Sequence, residues 1–188
     1  MPQDQQQKAV IALAGRRIDA PDAEAKRFPL GAVPLVRQRL ADVFRQEQAE
    51  ALVCSAACGA DLIALEEAGR MGIRRRIVLP FAPARFRETS VTDRPGDWGG
   101  LFDRVMGEVG QAGDVVVLDA GDGDAAYAAA NDAIVREALA LCRAETPPCR
   151  PVAVIVNEGS SRGAGDATEQ FRVLGLAAGF VERPVRTN

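Results

Sequence analysis

The segment Ser55-Ala56-Ala57-Cys58-Gly59-Ala60-Asp61 sets small side chains, one thiol and one carboxylate where an apolar run gives way to a helical period. Small residues let a ligand approach the backbone, and a helix beginning here points unpaired N–H groups at an anion. Ser55 adds a hydroxyl, and Asp61 falls in the first helical turn, where a negative charge suits the helix dipole. An ordinary tight turn before an acid-capped helix accounts for the same residues. Phosphate or nucleotide contact at Ser55, Cys58, Gly59, Ala60 and Asp61 is the sharper expectation.

A second glycine-rich stretch, Gly159-Ser160-Ser161-Arg162-Gly163-Ala164-Gly165-Asp166-Ala167-Thr168-Glu169, also leads into a helical pattern. Gly163, Gly165 and Thr168 suit a phosphate cradle, and Arg162 brings charge. A flexible loop whose glycines and serines merely permit the turn is the other reading. Gly15-Arg16-Arg17-Ile18-Asp19-Ala20-Pro21 follows the first apolar run. There Gly15 frees the backbone, and Arg16 and Arg17 can fork onto a phosphate or simply lie in solvent. Tyr127 and Asn131 stand i, i+4 on one helix face, placed either to read a base or ribose or to form a polar stripe.

The chain holds no histidine, which excludes Ser-His-Asp triads, Cys-His dyads, histidine metal ligands and imidazole bases. Acid–base work would fall to carboxylates, with Glu169 and Asp61 ahead of Glu88. Asp119-Ala120-Gly121-Asp122-Gly123-Asp124 has the composition of a calcium loop without its ligand spacing or closing Glu, so no metal is expected. Cys54, Cys58, Cys142 and Cys149 form no paired CxxC units and read as reduced, structural thiols.

These residues need a scaffold. Val10 to Ala14, Ala51 to Ser55, Ile77 to Phe81, Val115 to Ala120 and Val152 to Val156 are short, nearly continuous apolar runs. That is the pattern of strands covered on both faces in a parallel sheet. Helical periods fill 33–48, 59–71, 98–111, 125–143 and 167–178, and a last extended stretch lies near 181–185. The fold class is therefore α/β: a three-layer open sheet, mostly parallel, of about five to six strands flanked by helices. Two long connections, 15–30 and 82–97, follow strand C-terminal ends, where such sheets bind ligands. The second carries Arg85, Arg87, Ser90 and Arg94, with Ser90 a further ligand candidate. Arg74-Arg75-Arg76 falls at the opposite edge and reads as a solubilising turn.

A length of 188 residues suits one domain, with 1–7 a polar, unordered tail. Apolar residues make up 47% and charged residues 26%, an ordinary globular balance. The net charge of −3 argues against nucleic acid as a partner. No apolar run approaches the length of a membrane span, and the polar N-terminus shows no signal peptide, so the cytoplasm is the expected location. The alanine-rich 125–144 helix is either a pairing surface for a homodimer, the favoured assembly, or a buried helix.

Gly15…Ile18-Asp19-Ala20-Pro21, Arg27-Phe28-Pro29, Ser55-Ala56-Ala57-Cys58-Gly59-Ala60-Asp61, Leu79-Pro80-Phe81 and Thr89-Ser90-Val91 occur in this order. The series, over roughly 10–131, resembles bacterial proteins of the SLOG superfamily, which contains the LOG lysine-decarboxylase-like and DprA families. It is most similar to domains fused to TPR repeats or nucleotide cyclase modules. The resemblance implies a Rossmann-like fold binding a nucleotide or nucleotide-derived ligand at the strand C-terminal edge, as a sensor or signalling domain and without a cofactor. It also implies, alternatively, a phosphoribohydrolase acting on a nucleoside 5′-monophosphate. Related sequences often carry His where Arg16 stands. The LOG loop P-G-G-x-G-T-x-x-E keeps glycines, Thr168 and Glu169 here but not its spacing, which weakens the case for hydrolysis.

Overall fold

The structure, a computed structural model, describes residues 7–188, so most of the expected N-terminal tail lies outside the described residues. Six strands form one sheet: β1 (Ala9–Gly15), β2 (Ala49–Cys54), β3 (Arg74–Leu79), β4 (Val115–Val117), β5 (Arg150–Asn157) and β6 (Val181–Arg186). Their order is β4-β3-β2-β1-β5-β6, and every pairing is parallel. Between the strands run α1 (Val33–Gln46), α2 (Ala60–Arg70), α3 (Pro83–Ser90), α4 (Trp98–Gln111), α5 (Gly123–Ala144) and α6 (Ala167–Ala177).

Strand periodicity divides the core into two layers. On β1, Ile11 and Leu13 pack with Leu40 and Phe44 of α1, Leu62 of α2 and Phe102 of α4. Val10 and Ala12 face the other way, onto Ile134 and Ala138 of α5 and Phe171 of α6. Both faces of the sheet are thus covered, which is why the strand sequences are apolar without alternation.

The sheet grows outward from β1 to β4, and α5 then carries the chain back across β3, β2 and β1 so that β5 pairs with the free side of β1. Strand order reverses between β1 and β5. A parallel sheet splays its strand-end loops apart at such a point and opens a crevice.

Two differences from the sequence pattern have local causes. The connection 82–97 contains α3, which is only eight residues long and anchored by Phe86 and Ser90, too short to show a helical period. Arg74, Arg75 and Arg76 are the first half of β3 rather than a turn, and their charges are matched by Asp114, Glu108 and Glu137. The apolar residues of α5, including Ala126, Ala130, Ile134 and Ala138, are buried within the chain, so one face of the alanine-rich helix belongs to the core. All four cysteines are free and buried. Among the described residues no helix is long and apolar enough to cross a membrane.

Candidate functional site

Gly15 is the closest point of the crevice. A side-chain Cβ there would lie 2.5 Å from the Cβ of Ala60 and 2.6 Å from that of Val156. Only a glycine lets β1, β5 and the start of α2 meet. The Arg16 N–H then donates to the Val156 carbonyl at 2.8 Å, continuing the β1–β5 ladder by one residue.

The Arg16 side chain turns under the β5–α6 loop and is 4% exposed. Its Nε donates to Glu158 Oε2 at 2.9 Å, Nη1 to Asp166 Oδ1 at 2.7 Å and Nη2 to the Ser160 carbonyl at 2.7 Å. Arg27 pairs with Glu158 from the other side. Asp166 is also the N-cap of α6, accepting from the N–H of Arg162 at 2.7 Å, Thr168 at 3.1 Å and Glu169 at 3.4 Å. Burial opposes charge on both acids, but hydrogen bonds led by Arg16 outweigh it and hold each carboxyl down at about 2.

The turn before α2 is closed by the protein in a similar way. Cys58 N–H donates to the Ser90 carbonyl at 3.0 Å, and Ala60 N–H to the Arg16 carbonyl at 3.1 Å. The N–H of Ala57 goes to Asp61 Oδ2 at 3.2 Å. Gly59 has φ +91°, and a Cβ there would come within 2.8 Å of the Arg16 carbonyl oxygen. Cys58, Gly59 and Ala60 therefore lie behind the wall of the crevice, packed on the β1–α1 connection, rather than on its surface. Burial pushes the Cys58 thiol up to about 11, the range of an inert structural cysteine.

The crevice holds a cavity of about 870 Å³. Gly15, Arg16 and Arg17 form one side, with Ser55 and Asp61 from the β2–α2 junction. Ser90 enters from α3 and Asn131 from α5, while Gly163, Gly165, Thr168 and Glu169 close the far end. Two polar pins hold these walls together. Ser90 Oγ and Tyr127 Oη are 2.9 Å apart, and Asn131 Nδ2 donates to the Ala167 carbonyl at 3.0 Å.

The two candidate acid–base carboxyls share the cavity in opposite states. Asp61 is 8% exposed, and burial pushes it up to about 7, against the Ala57 N–H and the nearby Arg17 charge. Glu169 is gripped by Arg172 through bonds of 2.7, 2.9 and 3.1 Å, which lower its pKa. Arg17 is engaged by Asp93 at 2.8 and 2.9 Å.

Glu158 and Asp166 were not singled out from the sequence, although they fix Arg16. Asp166 carried a readable signal, since an acid three residues before Glu169 at the start of an apolar helix has cap spacing. Glu158 carried none, because its partner stands 142 residues away. Among the described residues no three His, Cys, Asp or Glu side chains gather where a metal ion would fit.

No family model matches the chain, and no curated protein matches it. Among solved structures, DNA processing protein A from Helicobacter pylori matches with a TM-score of 0.55 at 14% identity. The match takes in 95% of this chain and 65% of that protein, so the chain spans under two thirds of its neighbour's length. The shared feature is the fold, a Rossmann-like parallel sheet flanked by helices. That neighbour is described by a single-stranded DNA binding mode. Its example corrects the expectation drawn from net charge: an overall balance of −3 does not set nucleic acid aside for a chain of this fold.

Proposed function

We propose that this chain is a single domain that binds a nucleotide-derived small molecule in the crevice between the ends of β1 and β5, and acts as a sensor or signalling module in the cytoplasm. The observation that carries this reading is the cavity of about 870 Å³ at the point where strand order reverses, within the size range of small-ligand sites. The Rossmann-like fold shared with DNA processing protein A supports placing the chain in the SLOG superfamily. Four free, buried cysteines fit a reducing compartment.

A thermal-shift panel tests it, containing nucleosides, their mono-, di- and triphosphates, ADP-ribose, NAD, cyclic nucleotides and a short single-stranded oligodeoxynucleotide. A ligand at 100 times its Kd stabilises the fold by about 2.7 kcal/mol, a plain rise in Tm. A flat panel with folded protein overturns the reading. A response to the oligonucleotide alone moves the assignment to single-stranded DNA, the ligand of its structural neighbour.

A second reading, hydrolysis of the N-glycosidic bond of a nucleoside 5′-monophosphate, is favoured by the opposite states of Asp61 and Glu169 in one cavity. Glycosidic cleavage uses one protonated and one ionised carboxyl. As the C1′–N bond breaks, Asp61 would donate a proton to the departing base and Glu169 would stabilise the ribosyl cation; a water then adds to C1′ and returns its proton to Asp61. Release of free base from AMP by the wild type, lost in Asp61→Asn, supports turnover; no release across the four nucleoside monophosphates leaves binding alone.

A further inference from the structure

We infer that the cleft recognises the uncharged sugar and base of its ligand through Asp61 and selects against phosphate, an inference that rests on reading the cleft as the site of a nucleotide-derived ligand. Anion sites in parallel α/β folds use free N–H groups at helix starts and unpaired arginines. In this chain both resources are largely engaged or opposed: α5, which has no side-chain cap, puts the carboxylate of Asp124 in its first turn on the cavity. At α6 the capping carboxylate of Asp166 already takes the N–H groups of Arg162, Thr168 and Glu169. At α2 the N–H groups of Cys58 and Ala60 are bound to the carbonyls of Ser90 and Arg16.

Three of the five cavity arginines are similarly engaged. Arg16 is held by Glu158 and Asp166, Arg27 by Glu158 and Arg17 by Asp93. Arg94 stands 3.9 Å from Asp93, and its buried Nε makes no hydrogen bond. Arg162 is exposed and offers charge from the rim. Five arginines line the cavity against six carboxylates, and a triphosphate would add several negative charges to that balance.

What the cavity does leave open is an acceptor. Asp61 is 92% buried, and only its Oδ2 is bonded, to the Ala57 N–H. Its Oδ1 has no partner among the described residues and is not sealed off from the cavity. A carboxyl oxygen that opens on the cavity without a protein donor is free to accept from a ligand hydroxyl or amine. Ala14 and the ring of Tyr127, both half-buried, supply apolar surface on the same cavity, suited to the face of a base. Ribose hydroxyls toward Asp61 and a base against this surface satisfy both features.

Calorimetric titration at pH 8 with adenosine, guanosine, cytidine and uridine, and with the 5′-mono- and triphosphate of each, decides the point. The expected result is that at least one nucleoside binds, and that its Kd rises about tenfold or more from nucleoside to triphosphate. Asp61→Asn keeps an acceptor for Ala57 but turns an N–H₂ donor toward the cavity, and should weaken the nucleoside about tenfold or more while remaining folded by Tm. Affinity that increases with phosphate number, or that is unchanged in Asp61→Asn, overturns the inference and leaves the nucleotide-site reading standing. No binding by any of the twelve compounds to folded protein overturns both.

Discussion

Arg16 and Asp166, 150 residues apart in sequence, form a 2.7 Å ion pair in which the two side chains are 4% and 1% exposed. The contact ties the end of the central strand to the cap of α6 across the crevice where ligands are expected. It is also the reason the β5–α6 loop, with glycines at 159, 163 and 165, has a defined course over the cavity.

Truncating this pair should be expensive. Arg16→Ala leaves Asp166 ionised without a guanidinium and Glu158 with Arg27 alone, and removing one partner of a buried pair costs about 3–5 kcal/mol. Urea unfolding of the variant at pH 7 checks this figure. Arg16→Lys should recover only part of the loss, because an ammonium does not reproduce the three-way fork.

The same network sets the acid limb of stability. Asp166 and Glu158 are held at about 2, below their ordinary values of 3.8 and 4.5. Their contribution is complete above pH 5 and declines as the pH falls through those ordinary values toward about 2. The fall in unfolding free energy between pH 5 and pH 3 should be visibly shallower in Arg16→Ala than in the wild type.

Asp61 acts with the opposite sign. Its carboxyl stays protonated in the folded chain up to about 7, while in the unfolded chain it ionises near 3.8. Between those values the folded state holds a proton the unfolded state has lost, so this group lowers stability as pH rises and adds nothing further above about 8. Asp61→Asn removes the effect. Going from pH 5 to pH 8, the wild type should lose about 2–3 kcal/mol relative to the variant in urea midpoints.

Gly59 tests the closure of the α2 turn. An alanine there must adopt positive φ, at about 1–2 kcal/mol, and also push its Cβ against the Arg16 carbonyl. Gly59→Ala should lower Tm strongly, and any loss of ligand binding in that variant would report misfolding rather than a lost phosphate contact.

Tyr127→Phe should cost about 1 kcal/mol by leaving Ser90 Oγ without its 2.9 Å partner. Thermal unfolding measures the cost, and slower proteolysis of the wild type over 83–98 than of the variant would place the loss at α3.

Much of this architecture is legible in the amino-acid sequence. Apolar strands separated by helical periods are enough to give a parallel sheet, and Trp98–Gln111 matches the expected helix end for end. The cavity likewise gathers Gly15, Ser55, Asp61, Ser90, Asn131 and Glu169 from five separate stretches singled out by residue type. What sequence patterns do not carry is the direction of a group's bonds. Arg16 beside a glycine looks like a phosphate fork, yet its partners are Glu158 and Asp166, brought close only by the β1–β5 pairing. The helix start at Ala60 looks free until the Arg16 carbonyl is placed against it. Both cases turn on contacts between distant segments, where local propensity has no voice.

Amide shifts of ¹⁵N-labelled protein, titrated with the most stabilising compound of the thermal-shift panel, locate the ligand site residue by residue. A ligand in the β1–β5 crevice perturbs residues 15–19, 55–61, 127–131 and 162–170 most strongly. Perturbations centred instead on the groove between α1 and α2, near Arg37 and Arg70, or none with saturating compound, would contradict a site in that crevice.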